Sequence, residues 1–175
     1  NPYQGNGNRA CINDGGVLLN NSGTPGGGYF TGPGVTYGFG LYYFSPGLAG
    51  LGLHTLTYTF TDVNGCSSSA TQNVRVDTAA TVSAGNDLVK CGNLSVQLSG
   101  TIGGSATSAT WSTNGTGTFN NTNSLNAVYT LSNADANNGT VTLTLTTNNP
   151  AGNCDAVSDQ VIINYYQNAV AYAGS

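Results

Sequence analysis

Two stretches of the chain alternate strictly between apolar side chains and threonine, and this alternation restricts the fold more than any other feature. They read H54-T-L-T-Y-T-F-T61 and T140-V-T-L-T-L-T146. Because successive side chains of a β-strand point to opposite faces, each stretch predicts a strand with one buried and one solvated face. The turn-forming sequence D62-V-N-G65 follows the first stretch, so it predicts a hairpin that leads into another strand near Cys66.

The composition favours an all-β chain. The 175 residues include 26 glycines, only 6% are charged, and Thr, Val, Tyr and Ile recur in short runs separated by Gly, Asn and Ser. This length suits two β-domains of about 80 residues each. No segment approaches the roughly 20 apolar residues of a membrane span. The chain begins with Asn1 rather than Met, which indicates a processed protein or an excised piece with any signal peptide outside it.

The charge distribution disfavours nucleic acid as a partner. The formal net charge is −4, and the basic side chains Arg9, Arg75 and Lys90 are far apart in the sequence. Binding to nucleic acid depends on clustered Lys and Arg that neutralise phosphates, and this sequence contains no such cluster.

The cysteines indicate an internal repeat. They fall into two pairs of similar spacing, Cys11 with Cys66 and Cys91 with Cys154. The repeat predicts a first domain at residues 1–78 and a second domain at residues 79–165. The simplest disulfide pairing is Cys11–Cys66 and Cys91–Cys154, although four cysteines allow three connectivities.

Each predicted disulfide closes a long loop and should restrict the unfolded chain by roughly 4 kcal/mol on the entropic model. A zinc site is the competing interpretation, but four-thiolate sites usually contain close Cys-x₂₋₄-Cys pairs, which this sequence lacks. Disulfides in turn predict an oxidising, extracytoplasmic location.

The tail of the chain repeats the opening of the second predicted domain. Residues Q167-N-A-V-A-Y-A-G-S175 contain a match to A80-T-V-S-A-G-N86. Residues 166–175 are therefore predicted to be a linker and the start of a following repeat. On this interpretation the chain is one unit of a tandem array or filament, and its partners are neighbouring repeats or subunits.

Several motifs resemble the Ig-like or PKD-like repeats of large surface proteins in Bacteroidetes-type bacteria, including gliding-motility adhesins. In the first half these are G28-Y-F-T-G-P-G-V35, F44-S-P-G47 and H54-T-L-T-Y-T-F-T-D-V-N-G-C66, and in the second half T110-W-S-T-N-G-T-G-T-F119 and A151-G-N-C-D-A-V-S-D-Q-V161. The resemblance implies two tandem Ig-like β-sandwich domains in an exported cell-surface protein, often secreted through the type IX system. Trp111 resembles the inward tryptophan of such a sandwich and is expected to pack near a Cys91–Cys154 disulfide.

The sequence gives little evidence for a catalytic site. His54 is the only histidine, so a catalytic triad would have to combine it with Asp62 or Asp14, and no nucleophile-elbow or oxyanion motif accompanies it. Asp155 and Asp159 are the nearest pair of carboxylates, and a solvated strand face explains them more simply. The chain is therefore predicted not to be an enzyme, with no catalytic residue.

No metal site or cofactor is predicted, with calcium as the weighed exception. Asp62 and Asn64 with Asp14, or Asp87 with Asn86, would offer the oxygen ligands that calcium accepts. Turn formation already explains the Asp-x-Asn-Gly sequence, and a full EF-hand loop would need further acidic residues and a terminal Glu.

One dense aromatic cluster contains Tyr37, Phe39, Tyr42, Tyr43 and Phe44, and packing in the core or at a domain junction is its simpler interpretation. The aromatic residues that could instead form a contact patch are Tyr42, Tyr43, Tyr166 and Tyr172. Thr78 follows Asp77 and precedes an apolar residue, a sequence that resembles the O-glycosylation acceptor of those bacteria. The function predicted overall is a structural or adhesive repeat of an extracellular protein on a bacterial cell surface. The alternatives are a carbohydrate-binding module, with surface glycans as partners, and an accessory domain of a secreted enzyme.

Overall fold

The structure is a computed structural model that describes residues 8–20, 22–149, 154–171 and 173. The chain forms two compact units, of which the first contains Asn1–Ala79 and Pro150–Asp155 and the second contains Ala80–Asn149 and Ala156–Ser175. The linear ranges predicted from the repeat, residues 1–78 and 79–165, did not include the return of this later segment to the first unit.

The first unit has two sheets and one short helix. Its elements are β1 (Arg9–Cys11), β2 (Val17–Leu18), β3 (Tyr29–Thr31), β4 (Val35–Gly38), β5 (Leu41–Phe44), α1 (Pro46–Ala49), β6 (Gly52–Thr61) and β7 (Ser67–Asp77). One sheet has the order β1-β7-β6-β3 and the other the order β2-β5-β4. The predicted hairpin is present, because β6 and β7 pair along their whole length from Thr61 opposite Ser67 to Gly52 opposite Val76.

The second unit repeats this design with one addition. Its elements are β8 (Ala80–Ser83), β9 (Leu88–Cys91), β10 (Ser95–Gln97), β11 (Thr101–Gly104), β12 (Ala109–Thr113), β13 (Thr118–Phe119), β14 (Val128–Thr130), α2 (Asn133–Asn138), β15 (Thr140–Thr147) and β16 (Ser158–Tyr166). One sheet has the order β12-β15-β16-β9 and another the order β10-β14-β13. The addition is a two-stranded sheet of β11 and β8.

Strand order and register make the two units equivalent. In each unit the first strand of the larger sheet runs parallel to the last strand, with Cys11 opposite Asp77 in one unit and Cys91 opposite Tyr166 in the other. All the remaining pairs in these two sheets are antiparallel. The predicted all-β class and the two Ig-like β-sandwiches are confirmed. Neither helix of the described residues has the length and apolar character to cross a membrane.

Each unit has its own apolar core, formed by the inward faces of its strands. The core of the first unit contains Ala10, Leu19, Phe30, Phe44, Leu56, Val74 and Val76. In the second unit Trp111 is 2% exposed, and its indole N–H donates a hydrogen bond of 3.0 Å to the Ser124 carbonyl. The inward position predicted for Trp111 is therefore observed, but the disulfide expected beside it is not.

Candidate functional site

The structure pairs the cysteines differently from the prediction. Cys11 forms a disulfide with Cys154, with 4.9 Å between their Cα atoms, and both residues are buried. Cys66 and Cys91 are free and exposed. The predicted bonds Cys11–Cys66 and Cys91–Cys154 are therefore wrong.

The geometry of the parallel first strand explains this error. Cys11 lies beside Asp77 at the end of β7, whereas Cys66 immediately precedes the start of that strand. β7 has 11 residues, so the two cysteines lie about 35 Å apart at a rise of about 3.3 Å per residue. A disulfide needs Cα atoms within roughly 7 Å of each other. The same argument separates Cys91, at the end of β16, from Cys154, which precedes the start of that strand.

A groove of about 150 Å³ opens beside β6 and β7 in the first unit, and we call it the first-unit groove. Its lining includes Thr24, Leu56, Tyr58, Ala70, Gln72 and Val74. The Tyr58 hydroxyl accepts a hydrogen bond of 2.8 Å from the Gly28 N–H and donates one of 2.5 Å to the Pro25 carbonyl. These bonds hold the glycine-rich segment around Pro25 along one side of the groove.

An aromatic hollow of about 340 Å³ lies in the same unit and includes Tyr29, Tyr37 and Tyr42 in its lining. The ring centroids of Tyr37 and Tyr42 are 4.7 Å apart. Asn20 orders this region, because its side-chain oxygen accepts a hydrogen bond of 2.5 Å from the Tyr42 N–H. Tyr29 is 46% exposed and Tyr37 is 66% exposed, so the hollow presents aromatic surface to solvent.

The predicted contact patch is only partly assembled. Tyr42 borders the aromatic hollow, while Tyr43, its neighbour in β5, points to the opposite face of the strand. Tyr166 is 59% exposed and ends β16 in the second unit. Tyr172 lies outside the described residues. The fold brings two further tyrosines beside Tyr42: Tyr37, which belongs to the predicted aromatic cluster but not to the predicted patch, and Tyr29, which was not predicted.

The candidate catalytic residues are not brought together. The Nε2 atom of His54 lies 2.7 Å from the Gly50 carbonyl oxygen at the start of β6. Asp62 lies at the other end of β6, where its carboxylate accepts hydrogen bonds of 2.9 Å from the backbone N–H groups of Asn64 and Cys66. Asp14 likewise accepts a 2.8 Å bond from the Cys11 N–H. Both carboxylates therefore stabilise turns.

The second unit also uses its carboxylates to hold backbone groups. Asp159 accepts a hydrogen bond of 2.8 Å from the Ala84 N–H, and Asp87 accepts one of 2.8 Å from the Ile162 N–H. Asp155 is exposed. Among the described residues, no group of three or more His, Cys, Asp or Glu side chains is placed to hold a metal ion. The expectation of no cofactor, with calcium at Asp62, Asn64 and Asp14 or at Asp87 and Asn86 as the weighed exception, stays a prediction.

The most buried carboxylate belongs to Asp135, which sequence analysis missed. It is 2% exposed, and it accepts hydrogen bonds from the backbone N–H groups of Thr116, Gly117 and Ser132 and from the Tyr129 hydroxyl. Burial opposes the charged form, but these four donors outweigh it and lower the pKa of Asp135 below its ordinary value. Burial is also the main cause that raises the pKa of Tyr129, with further contributions from Asp135.

A recognisable sequence signal for this network exists. Ser132 and Asp135 form a capping box at the start of α2, in which each side chain accepts a hydrogen bond from the other residue's backbone N–H. The pattern Ser-x-x-Asp is a weaker form of the usual Ser-x-x-Glu signature. Its role is structural, because it connects α2 to the segment around Thr116.

A second buried carboxylate, that of Asp77, connects the neighbouring strands β1 and β7 of the first unit. Asp77 is 9% exposed and accepts two hydrogen bonds from Arg9, of 2.7 and 2.8 Å, and one of 3.0 Å from Arg75. Thr78 follows it and is exposed, so its hydroxyl is accessible on the first unit. O-glycosylation of Thr78 stays a prediction.

No protein-family model matches the sequence, and no curated protein matches it. Among solved structures, the chain is similar to hemolin, an insect immune protein, with a TM-score of 0.45 and 14% identity over 80% of this chain and 40% of hemolin. Immunoglobulin domains 1–5 of Sidekick-1 give a TM-score of 0.35 and 12% identity over 78% of this chain and 30% of that one. Extracellular cadherin domains 1–4 of protocadherin gamma B7 give a TM-score of 0.38 and 12% identity over 91% of this chain and 48% of that one. The chain spans less than half the length of each of these structures.

Proposed function

We propose that this chain is a non-catalytic structural and adhesive segment of an extracellular array on a bacterial surface. The observation that carries the proposal is the duplication itself, because two units with the same strand order and the same register follow each other in one chain. Proteins built from such repeats extend by adding units, and their surfaces serve contact rather than chemistry.

The use of the polar side chains supports a non-catalytic role. The carboxylates of Asp14, Asp62, Asp87, Asp135 and Asp159 all accept hydrogen bonds from backbone N–H groups. These bonds hold the carboxylates at turns and strand ends, whereas a general acid or base has to lie within hydrogen-bond reach of a substrate atom. Their shared use as acceptors for backbone N–H groups is the structural role that the proposal assigns to them.

The cysteine chemistry supports an extracellular location. A buried disulfide persists in oxidising compartments and is rare in the cytosol. Hemolin, which shares structural similarity, is described with implications for homophilic adhesion, and such self-association is the behaviour proposed for this chain. The resemblance to Bacteroidetes-type surface repeats supports a bacterial cell surface and type IX secretion.

Two measurements on the full chain test the proposal. Electron microscopy of the purified protein under oxidising conditions should show linear arrays of equal beads. Antibodies raised against the chain should label intact, unpermeabilised cells of the source organism. Globular monomers in the first measurement, together with labelling only after permeabilisation in the second, would contradict the proposal.

The aromatic hollow favours carbohydrate binding as a second candidate function. Exposed aromatic rings beside polar groups are suited to stack against sugars, and Tyr37 and Tyr42 provide such a surface beside Asn20. A glycan array would identify a ligand. Binding that Tyr37→Ala abolishes, and that Phe39→Ala leaves intact at a fully exposed site outside the hollow lining, would support this function.

A further inference from the structure

The described part of the first unit lacks a counterpart of the β8–β11 strand pair, and the sequence shows where that counterpart belongs. The stretches S22-G-T-P-G-G27 and S99-G-T-I-G-G104 differ at a single position, so they are equivalent segments of the two units. In the second unit this segment contains β11, which pairs antiparallel with β8 from Thr101 opposite Ser83 to Gly104 opposite Ala80. In the first unit, no strand of the described residues pairs with residues 24–27.

The first-unit groove lies where the equivalent of β8 would pack. In the second unit β8 contacts β15 and β16 as well as β11. The equivalent elements of the first unit are β6, β7 and the segment around Thr24, and these three elements supply most of the groove lining. The groove is therefore the position of a first strand that completes the sandwich.

The tail of the chain has the sequence and spacing of that strand. β7 ends at Asp77 and β16 ends at Tyr166, and the equivalent alanines, Ala80 and Ala169, stand three residues after these ends. From these alanines onward both segments read Ala-x-x-x-Ala-Gly, as A80-T-V-S-A-G85 and A169-V-A-Y-A-G174. Ala80 and Ala84 are buried in the second unit, whereas Ala169, Val170, Ala171 and Ala173 are exposed and belong to no strand.

The cysteines also occupy equivalent positions in the two units. Cys11 and Cys91 occupy matching positions in β1 and β9, and Cys154 and Cys66 each precede the last strand of a unit. The observed disulfide joins Cys11, in the first strand of the first unit, to Cys154, which in the sequence precedes the last strand of the following unit. Continued into a following copy, this rule pairs Cys91 with the copy's Cys66, and these are the two cysteines that are free and exposed.

We propose that copies of this chain assemble head to tail, with residues Ala169–Gly174 of one copy inserted as a strand in the first-unit groove of the next, and with a Cys91–Cys66 disulfide between them. Strand addition of this kind derives its affinity from main-chain hydrogen bonds and its specificity from side chains in the groove. Because the two contacting surfaces differ, the contact is heterologous, and it forms a filament where the rotation between copies does not close a ring.

The covalent step is an ordinary thiol–disulfide exchange. The Cys91 thiolate attacks a disulfide oxidant such as oxidised glutathione, forms a mixed disulfide and releases one thiol. The Cys66 thiolate of the neighbouring copy then attacks the Cys91 sulfur of that mixed disulfide and releases the second thiol. Two protein thiols lose two protons and two electrons, and one oxidant disulfide becomes two thiols.

This inference rests on the proposed array function and names the partner within it. Its test uses two full-length variants, Cys66→Ser and Cys91→Ser, incubated with oxidised glutathione separately and as an equal mixture. Head-to-tail pairing predicts a ladder of covalent multimers from the original chain, monomers from each variant alone, and dimers only from the mixture. Non-reducing electrophoresis and mass spectrometry of the linked peptides read the result. Covalent homodimers of either variant, or monomers from the original chain, would overturn the pairing.

A second test addresses the strand. A chain that ends at residue 168 should form the ladder about 100-fold more slowly, because the docked strand no longer holds the two thiols at high local concentration. A labelled peptide of residues 167–175 should bind this shortened chain, and the same peptide with Ala171→Asp should not, since Ala171 is equivalent to the half-buried Val82. A ladder that forms at an unchanged rate without residues 169–175 would overturn the role of the tail. Loss of the ladder on removal of residues 1–4 instead would also overturn it.

The outcomes also separate this inference from the proposed function. Linear arrays that form without a Cys91–Cys66 bond and without residues 169–175 would retain the array function and reject the mode of assembly. A chain that neither forms arrays nor labels intact cells would reject both.

Discussion

In the second unit Trp111, in the edge strand β12, is 2% exposed, whereas the equivalent residue of the first unit, Phe30 in β3, is 9% exposed and lines an open groove. The second unit also has β8, which packs against β15 and β16, and the buried Asp135 network. The first unit has instead a disulfide to a segment from much later in the chain. The same strand order is therefore stabilised in two ways: in the second unit by its own strands and side chains, and in the first unit by a disulfide to a distant segment of the chain.

The largest effect should come from the core of the self-contained unit. Trp111→Ala removes a large buried side chain and its hydrogen bond to Ser124, and should lower the free energy of unfolding of the second unit by about 5 kcal/mol. Phe30→Ala should cost the first unit only about 2 kcal/mol, because the side chain borders an open groove. Calorimetry that resolves the two transitions checks this, with Phe39→Ala as an exposed control. Equal losses at both positions would remove the distinction between the units.

The disulfide should matter only to the first unit. Replacement of both Cys11 and Cys154 by Ser opens the loop that the disulfide closes. When the first unit unfolds and the second stays folded, about 70 residues of this loop are disordered, so the free energy of unfolding of the first unit should fall by about 4 kcal/mol. The free energy of unfolding of the second unit should not change. Cys66→Ser is the matched control, because Cys66 is free. This variant should change the free energy of unfolding of the first unit by less than about 0.5 kcal/mol. A large loss from Cys66→Ser would instead support a Cys11–Cys66 bond.

Acid should distinguish the two units through Asp135. Its folded pKa lies below the ordinary value, so its charge stabilises the second unit fully above the ordinary pKa and this contribution is lost as the pH falls through the folded pKa. Asp135→Asn should cost about 2 kcal/mol at neutral pH and flatten the acid dependence of the second transition below about pH 5. Urea unfolding as a function of pH measures both effects, with Asp87→Asn, a side chain that is exposed, as the control. An unchanged acid dependence in Asp135→Asn would contradict this assignment.

The smallest effect concerns the ion pairs around Asp77 in the first unit. Arg9→Ala removes two hydrogen bonds and should cost about 1 kcal/mol, whereas Arg75→Ala removes one bond from a side chain that is 57% exposed and should cost less than about 0.5 kcal/mol. High salt should reduce both values. A larger loss from Arg75→Ala would reverse the order of the two contacts.

The sequence allowed the strand-rich design to be predicted because period-two alternation is a local signal. The stretches beginning at His54 and Thr140 became β6 and β15, and the D62-V-N-G65 turn closes the hairpin between β6 and β7. The repeat of the cysteines was also visible, since the matching positions of Cys11 and Cys91 follow from their spacing to the last strand.

The disulfide could not be predicted in the same way because it depends on strand direction. A first strand parallel to the last strand places Cys11 at the far end of β7 from Cys66, and sequence spacing does not report this direction. The aromatic hollow was missed for a related reason. Tyr37 and Tyr42 are a cross-strand pair of the β4–β5 hairpin, but Tyr29 joins them from β3, which belongs to the other sheet. Tyr43, adjacent to Tyr42 in sequence, points to the opposite face of β5.

The measurement that tests this account most directly is a tryptic digest of the monomeric chain, unfolded and not reduced, with its free thiols alkylated. Cleavage after Arg9, Arg75 and Lys90 places Cys11 and Cys66 on one peptide, residues 10–75, and Cys91 and Cys154 on another, residues 91–175. The Cys11–Cys154 bond predicts that these two peptides remain joined, with alkylated Cys66 and Cys91, and separate only on reduction. Two separate peptides without alkylated cysteine would show bonds within each unit and would contradict the account of a first unit completed by chain from elsewhere.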